Sequence, residues 1–219
     1  MGNRKGYTIV EVLVATVVSL FVLGSIYMAI TVAQRSSSGI EGKVTAQQDV
    51  RAALEIMAAE IRMASFNPNF ASGIWVGTQS YKGIQEATAN SITVQMDING
   101  NSLIGDPNEI IRYNYDTANE RVTRDTGGGA QPFLGDDPAS GRPRRVRVIN
   151  ATFNIPVFRY YDGTGTEIPI NSLPGAIPNI RIIEITLAVE TDSIDPATGQ
   201  RRKIVYSTSV IPRNHVIGF

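Results

Sequence analysis

The 219-residue chain contains no cysteine and a single histidine, His215. Without cysteine there can be no disulfide framework and no cysteine-based metal site. With one histidine, a histidine zinc site and a Ser-His-Asp triad are almost excluded, and His215 is interpreted as an ordinary strand-end or surface residue. We therefore expect no enzymatic activity, no metal and no cofactor.

The chain also has no net charge, because 20 lysines and arginines balance 20 aspartates and glutamates. It has no overall positive field for nucleic acid, which is not an expected partner. The densest basic run, residues 142–147, contains Pro143 and follows Ser140 and Gly141. We interpret it as a solvated loop that enters a strand. Contact with an acidic neighbouring subunit and binding of DNA phosphates are the alternatives.

Charged side chains are missing throughout residues 12–33, a run of 22 residues. A bilayer core needs about 20 apolar helical residues, so this run predicts a membrane span. Arg4 and Lys5 precede it, and the positive-inside tendency keeps the short N-terminus in the cytoplasm. A cleaved secretory signal and a plain signal anchor are alternatives. A signal has an apolar region of only about 7–15 residues, and a plain anchor explains neither Gly6 nor Glu11.

One carboxylate, Glu11, lies at the start of the apolar run. A lone acid in a membrane span costs about 2.5–3.5 kcal/mol on insertion scales. Such a residue needs a partner, and we expect that partner to indicate the function of the protein.

Residues 6–15 read Gly-Tyr-Thr-Ile-Val-Glu-Val-Leu-Val-Ala, and this stretch resembles the start of type IV prepilins and type II secretion pseudopilins. The resemblance implies that prepilin peptidase removes residues 1–6 as a leader by cutting after Gly6. Tyr7, in place of the usual phenylalanine, would then be N-methylated. Glu11 is the fifth residue after this cut, where the family carries a glutamate.

The same resemblance implies a role for Glu11 in assembly. In a bundle of such helices, Glu11 of an incoming subunit pairs with the new amine of Tyr7 on a neighbour. In a low dielectric this pairing offsets two desolvation penalties, and it forms at only one stagger between the helices. Glu11 would therefore set the register. Pairing of Glu11 with the Tyr7 amine of its own chain is the alternative.

A second helical pattern follows the membrane run. Its apolar positions recur at spacings of three and four: Ile40, Val44, Gln47, Val50, Leu54, Met57, Ile61 and Ala64. This predicts one long helix with a transmembrane half (7–33) and an amphipathic half (34–66) that ends before Pro68. Residues 36–39, Ser-Ser-Ser-Gly, are a weak point at which the helix could bend.

Residues 67–219 carry β signals and predict a C-terminal globular domain. Strands are expected at residues 91–98, 109–116, 121–124, 145–153, 158–161, 181–190 and 203–211. A helix followed by strands favours the α+β class, with the helix packed on a mostly antiparallel sheet. Residues 97–102 lack EF-hand spacing and predict a hairpin turn, with a calcium site that uses Asp106 and Glu109 as the alternative.

Short segments across about 165 residues are similar to PilW-type minor pilins and to J-type minor pseudopilins. They lie at residues 50–54, 60–66, 111–113, 122–124, 158–163, 179–181 and 212–214. This resemblance implies a minor pilin that acts in pilus initiation or at the filament tip. A J-type pseudopilin of a type II secretion system, a major pilus subunit and a membrane-anchored periplasmic enzyme or receptor are the alternatives.

The resemblance also implies partners and a location. The partners are prepilin peptidase, the inner-membrane assembly platform, and other minor and major pilins that contact the N-terminal helix. The expected location is the bacterial inner membrane with the C-terminal domain in the periplasm or on the outer face. After assembly, the expected location is the pilus filament or its tip.

Overall fold

A computed structural model describes residues 6–135, 146–195 and 198–215 of the chain. Within these ranges, one long helix is followed by nine strands that form two antiparallel sheets. The predicted α+β class, with a long N-terminal helix and antiparallel sheets, is confirmed.

Helix α1 (Ile9–Arg62) contains 54 residues and is about 80 Å long at 1.5 Å per residue. It is continuous through residues 36–39, so the weak point does not interrupt it. The predicted end at Phe66 is wrong, because Ser65 has a φ of 66° and its N–H bonds to the carbonyl of Gln95 at 2.9 Å. A contact with the sheet thus ends the helix earlier than its apolar pattern suggests.

The first half of α1 lies outside the globular domain. Residues 9–30 are exposed on every face of the helix, and they form a segment long and apolar enough to cross a membrane. The hydroxyls of Thr16, Ser19, Ser25 and Thr31 each donate to the carbonyl four residues earlier, at 2.7–2.9 Å. These polar side chains are therefore satisfied within the helix itself.

The second half of α1 packs on the β-domain through one face. The buried residues of this face are Ala46, Val50, Ala53, Leu54, Met57, Ala58 and Ile61, and Ala64 is buried just after the helix ends. The predicted stripe is wrong at its start, because Ile40 is 60% exposed and Val44 is 43% exposed. The domain covers the helix only from about Ala46 onward, so these two side chains have no sheet beneath them.

The first sheet is a five-stranded meander in the order β1-β2-β3-β4-β5. Its strands are β1 (Ile84–Ala87), β2 (Ser91–Gln95), β3 (Ile110–Asp116), β4 (Arg121–Asp125) and β5 (Gln131–Leu134). The sequence predicted β2, β3 and β4 but not the two edge strands. Each edge strand has only four residues, and β5 contains Pro132, which weakens its β signal.

The second sheet consists of β6 (Val146–Val148), β7 (Phe158–Tyr161), β8 (Ile182–Ile194) and β9 (Arg201–Val210). The long strand β8 is central, with β6 and β7 along one side and β9 along the other. A single helical turn, α2 (Leu173–Ala176), lies between β7 and β8 and buries Leu173.

The predicted strand over residues 145–153 is wrong beyond Val148. The chain there forms a 3₁₀ turn, Asn150–Phe153. The buried Asn150 side chain donates to the carbonyl of Thr186 and accepts from the N–H of Ala188, both at 2.8 Å. This amide replaces the ladder hydrogen bonds that a longer β6 would make with β8.

The two sheets share one hydrophobic core with the second half of α1, which contacts β5, β8 and β9. Two buried tyrosines also join the sheets. Tyr160 donates to the carbonyl of Thr88, and Tyr115 donates to the carbonyl of Val148, both at 2.8 Å. The two sheets of the β-domain are therefore packed together around one core.

Candidate functional site

The first turn of α1 contains a capping box formed by Thr8 and Glu11. The Thr8 hydroxyl accepts from the N–H of Glu11 at 3.2 Å, and the Glu11 carboxylate accepts from the N–H of Thr8 at 3.5 Å. The sequence analysis missed Thr8, although Thr-x-x-Glu before an apolar run is the signature of this motif. The box fixes where the helix begins, and it holds the carboxylate at the positive end of the helix dipole.

Gly6 and Tyr7 precede this turn and are exposed. Tyr7 is 84% exposed, and no atom lies within 4 Å of the position that a Cβ at Gly6 would occupy. The Gly6–Tyr7 peptide bond is therefore open to an enzyme. Arg4 and Lys5, the predicted topology residues, lie outside the described residues.

A shallow apolar groove runs along the helix beside Glu11. It is lined by Val10, Leu13, Val14, Val17 and Val18. Its surface carries no hydrogen-bonding group, so it fits lipid chains or the apolar side chains of another helix. The site thus combines one accessible peptide bond, one carboxylate and an apolar helix surface.

The comparison with known families concerns this same segment. Residues 1–27 match the prokaryotic N-terminal methylation motif. The chain carries the N-terminal segment of a type IV prepilin or pseudopilin. This match supports a type IV pilin-like protein of the kind that prepilin peptidase processes, and the apolar helix is consistent with membrane anchoring.

The family match covers only the start of the chain. Neither the curated proteins nor the solved structures give a match. The methylation motif ends at residue 27, inside α1 and before the β-domain. The similarity to PilW-type minor pilins therefore stays a prediction.

The surroundings of Glu11 show what the carboxylate must give up on assembly. Its only described side-chain hydrogen bond is the 3.5 Å contact with the Thr8 N–H, at the long end of the usual range. Exchanging one such exposed bond costs little, on the order of 1 kcal/mol or less. The carboxylate is thus available to a stronger partner. Pairing with the Tyr7 amine of a neighbour and pairing with the Tyr7 amine of the same chain both stay predictions.

A second polar cluster surrounds His215, whose predicted exposure is wrong. His215 is 3% exposed and lies in a 3₁₀ turn, Arg213–His215. Its Nε2 is 3.0 Å from the carbonyl of Ile177, and its Nδ1 is 3.0 Å from the hydroxyl of Ser65. Since the carbonyl can only accept, Nε2 carries the proton and Nδ1 accepts from Ser65.

The same Ser65 hydroxyl accepts from the N–H of Gly83 at 2.9 Å. Burial lowers the pKa of His215 to about 4, with smaller contributions from the positive charges of Lys82 and Arg181. The cluster therefore fastens the C-terminal segment to the end of α1 with a neutral histidine. No sequence motif marks it, since Ser65 and His215 are 150 residues apart.

The loop between β2 and β3 is organised by two buried carboxylates. Asp97 accepts from the N–H groups of Gly100 and Ser102, and Glu109 accepts from those of Ile98, Gly105 and Asp106. The described residues contain no group of three or more acidic or histidine side chains that could hold a metal ion. The calcium alternative would use Asp106 and Glu109, and both carboxylates already accept hydrogen bonds. Backbone N–H groups donate to Glu109, and the side-chain amides of Asn99 and Asn101 donate to Asp106.

The basic run is only partly described. Arg147 lies on β6, and its Nη1 is 3.6 Å from Glu120 Oε2. Residues 142–145 lie outside the described ranges, so the predicted loop and its alternatives stay predictions.

Proposed function

We propose that this chain is a minor pilin of a type IV pilus that acts in pilus initiation or at the filament tip and catalyses no reaction. The observation that carries the proposal is that α1 extends far beyond the surface of its own domain. The domain buries the helix only from about Ala46, whereas residues 9–30 are exposed all around it. That apolar half needs lipid before assembly and other helices afterwards.

The proposed mechanism begins with cleavage after Gly6, which leaves a charged amine on Tyr7. N-methylation would preserve that positive charge. Glu11 of one subunit then pairs with the Tyr7 amine of a neighbour, while the groove along Val10 to Val18 packs against the neighbour's apolar helix. The charge pair favours a single stagger, because any other stagger leaves both charges without a partner in a low dielectric.

The orientation follows from the same segment. With Arg4 and Lys5 in the cytoplasm, the β-domain lies in the periplasm at the end of a helix about 80 Å long. The assembly platform and the other pilins would contact the membrane half of α1. The β-domain is left to contact other subunits outside the membrane.

The J-type pseudopilin of a secretion system remains the second candidate, because the resemblance at the end of α1 fits both groups. Genes for other minor pilins and pilus assembly beside this one would favour the pilus, whereas genes for a secretin system would favour the pseudopilin. A major subunit would instead be the dominant band of purified filaments.

Among the described residues, the enzyme alternative could use one serine–histidine pair, the contact of Ser65 with His215. Both are buried, and the second nitrogen of His215 faces a backbone carbonyl where a hydrolase triad would place a carboxylate. The arrangement is better explained as packing at the end of α1, and this supports a non-catalytic role.

The deciding experiment is N-terminal mass spectrometry of the full-length protein extracted from membranes. We expect a chain that begins at N-methyl-Tyr7. The matched control is Gly6→Leu, which should keep its leader because the resemblance places the cut after a glycine. A wild-type chain that retains residues 1–6 in cells with active prepilin peptidase would refute the proposal.

A further inference from the structure

Strand β9 forms a long and open edge of the second sheet. It has ten residues and pairs with β8 along one side. Within residues 6–135, 146–195 and 198–215, no backbone hydrogen bond outside the β8 ladder begins or ends at residues 203–210. Because the N–H and C=O groups of alternate residues point to opposite sides of an antiparallel strand, about half of those in β9 face outward.

The other sheet edges in the described part of the chain are short or occupied. Strands β1 and β5 have four residues each, and β5 contains Pro132. The outer side of β7 accepts a hydrogen bond from the N–H of Ile168 to the carbonyl of Tyr160, at 2.8 Å. On β6, the N–H of Val148 donates to the carbonyl of Glu120, also at 2.8 Å. Only β9 is both long and uncovered among these strands.

Beyond its charged start, Arg201 to Lys203, β9 lacks the usual protection of an edge strand. Natural edges are blocked by prolines, bulges or charged residues, of which lysine is the most frequent. Residues 204–210 read Ile-Val-Tyr-Ser-Thr-Ser-Val and contain neither proline nor charge. An unprotected edge of this length is a liability unless another chain covers it.

We propose that β9 receives an extended strand from a neighbouring pilin-like subunit, which extends the second sheet across the subunit interface. The inference rests on the proposed function, because it needs assembly with other subunits. Main-chain hydrogen bonds supply the affinity in such strand addition, and the side chains that alternate along the edge supply the specificity.

The side chains of β9 define the chemistry of the incoming strand. Val205 is 54% exposed, and Ser207 and Ser209 are exposed on the same face. This middle and C-terminal part fits uncharged β-branched or hydroxyl side chains. At the other end, Arg202 pairs with Asp195, and Lys203 Nζ lies 4.0 Å from Glu190 Oε1. These cations have acidic partners within the chain, so the specificity for the incoming strand comes from the uncharged stretch.

Amide hydrogen exchange provides the direct test. The full chain is measured alone in detergent and again in the native membrane complex that co-purifies with a tag on its C-terminus. We expect at least about tenfold slower exchange in residues 203–210 in the complex, because outward amides gain hydrogen-bond partners. Equal exchange in the two samples would overturn the inference.

A lysine on the edge gives the second test. Val205→Lys introduces the charge that protects natural edges, and Val76→Lys, at a loop residue that is 52% exposed, is the matched control. We expect Val205→Lys to reduce recovery of the co-purifying subunits about tenfold and Val76→Lys to leave it unchanged. Equal recovery from both variants would contradict strand addition.

The N-terminus of each sample separates this inference from the proposed function. If the chain starts at Tyr7 and the complex forms, yet β9 is not protected, strand addition alone is wrong. If the leader is retained and no complex forms, both the proposed function and the inference are overturned.

Discussion

Glu60 and Arg124 form a two-point ion pair between the end of α1 and strand β4. Arg124 Nη2 donates to Glu60 Oε1 at 2.7 Å, and Arg124 Nε donates to Oε2 at 3.1 Å. The Tyr113 hydroxyl on β3 donates to the same carboxylate. Burial, and then the nearby carboxylate, raise the pKa of Tyr113, so that the tyrosine remains a donor. This group fixes the angle at which the projecting helix leaves the first sheet.

Replacing Glu60 with glutamine should destabilise the β-domain by about 2 kcal/mol, because Arg124 and Tyr113 lose a charged acceptor in a half-buried place. The free energy of unfolding is measured by chemical denaturation of the full chain in detergent. A double-mutant cycle with Arg124→Met should give a coupling energy of about 1–2 kcal/mol.

The control for this pair is the more exposed ion pair of Glu86 and Arg112, with Nε–Oε2 at 2.9 Å. Arg112 is 51% exposed in its side chain, so Arg112→Met should change the free energy of unfolding by less than about 1 kcal/mol. Equal losses at the two sites would contradict a special role for Glu60.

The buried His215 should make the domain sensitive to mild acid. Its folded pKa of about 4 lies below the ordinary value of 6.5, so between these values the unfolded chain binds a proton that the folded chain does not. The contribution of neutral His215 to the free energy of unfolding is therefore fully present above pH 6.5, and it is lost as the pH is lowered toward 4. The loss attributable to this residue is about 3 kcal/mol.

The measurement is the free energy of unfolding between pH 4 and 7.5 for the wild type and for His215→Gln. The glutamine variant should be less stable at neutral pH but should lose less stability between pH 6.5 and 4.5. The lowered pKa values of Glu86 and Asp116 make their contributions fall mainly at lower pH. Parallel curves for the two proteins would rule out His215 as the source.

Gly83 should tolerate no side chain. A Cβ there would overlap the backbone atoms Ser65 N and Gln95 O, which cannot move without breaking their mutual hydrogen bond. Gly83→Ala should therefore cost about 3 kcal/mol or more, or prevent folding. The control is Gly175→Ala in α2, where no atom lies within 4 Å, and its melting temperature should stay within a few degrees of the wild type.

Glu11→Ala should separate processing from assembly. We expect cleavage after Gly6 to remain largely intact, whereas the fraction of the chain that cross-links to partner pilins should fall at least about tenfold, since an unpaired amine in low dielectric is costly. Thr8→Ala is the matched control, because it removes the capping box at a cost of about 1 kcal/mol but keeps the acid. Normal cross-linking of Glu11→Ala would refute the register role.

The sequence predicted those parts of the fold that local periodicity and composition determine. The 3.6-residue repeat located the second half of α1, and period-two alternation located β2. The end of α1 could not be predicted in this way, because it depends on the contact of Ser65 with Gln95, 30 positions along the chain. Edge strand β5 was not predicted for a similar reason, because it forms through its pairing with β4 despite a weak local β signal.

The candidate site and the C-terminal cluster also differ in whether the sequence alone could predict them. Gly6, Tyr7 and Glu11 form a compact motif that the sequence alone predicts as a site, and Thr8 could have been added from the capping pattern. The C-terminal cluster escaped detection because His215 meets Ser65 and Ile177 only in the folded chain. A solitary histidine carries no information about burial until the strands that surround it are placed.

The hydroxyls of Thr16, Ser19, Ser25 and Thr31 bond to their own helix, and this has a consequence for how the subunit leaves the membrane. Along these residues there is no hydrogen bond to break in lipid and none that must form in the filament. The helix can therefore slide past its neighbours on a nearly featureless apolar surface. In the proposed assembly, only the first turn, where Glu11 would pair with an amine, favours one position of the helix over another.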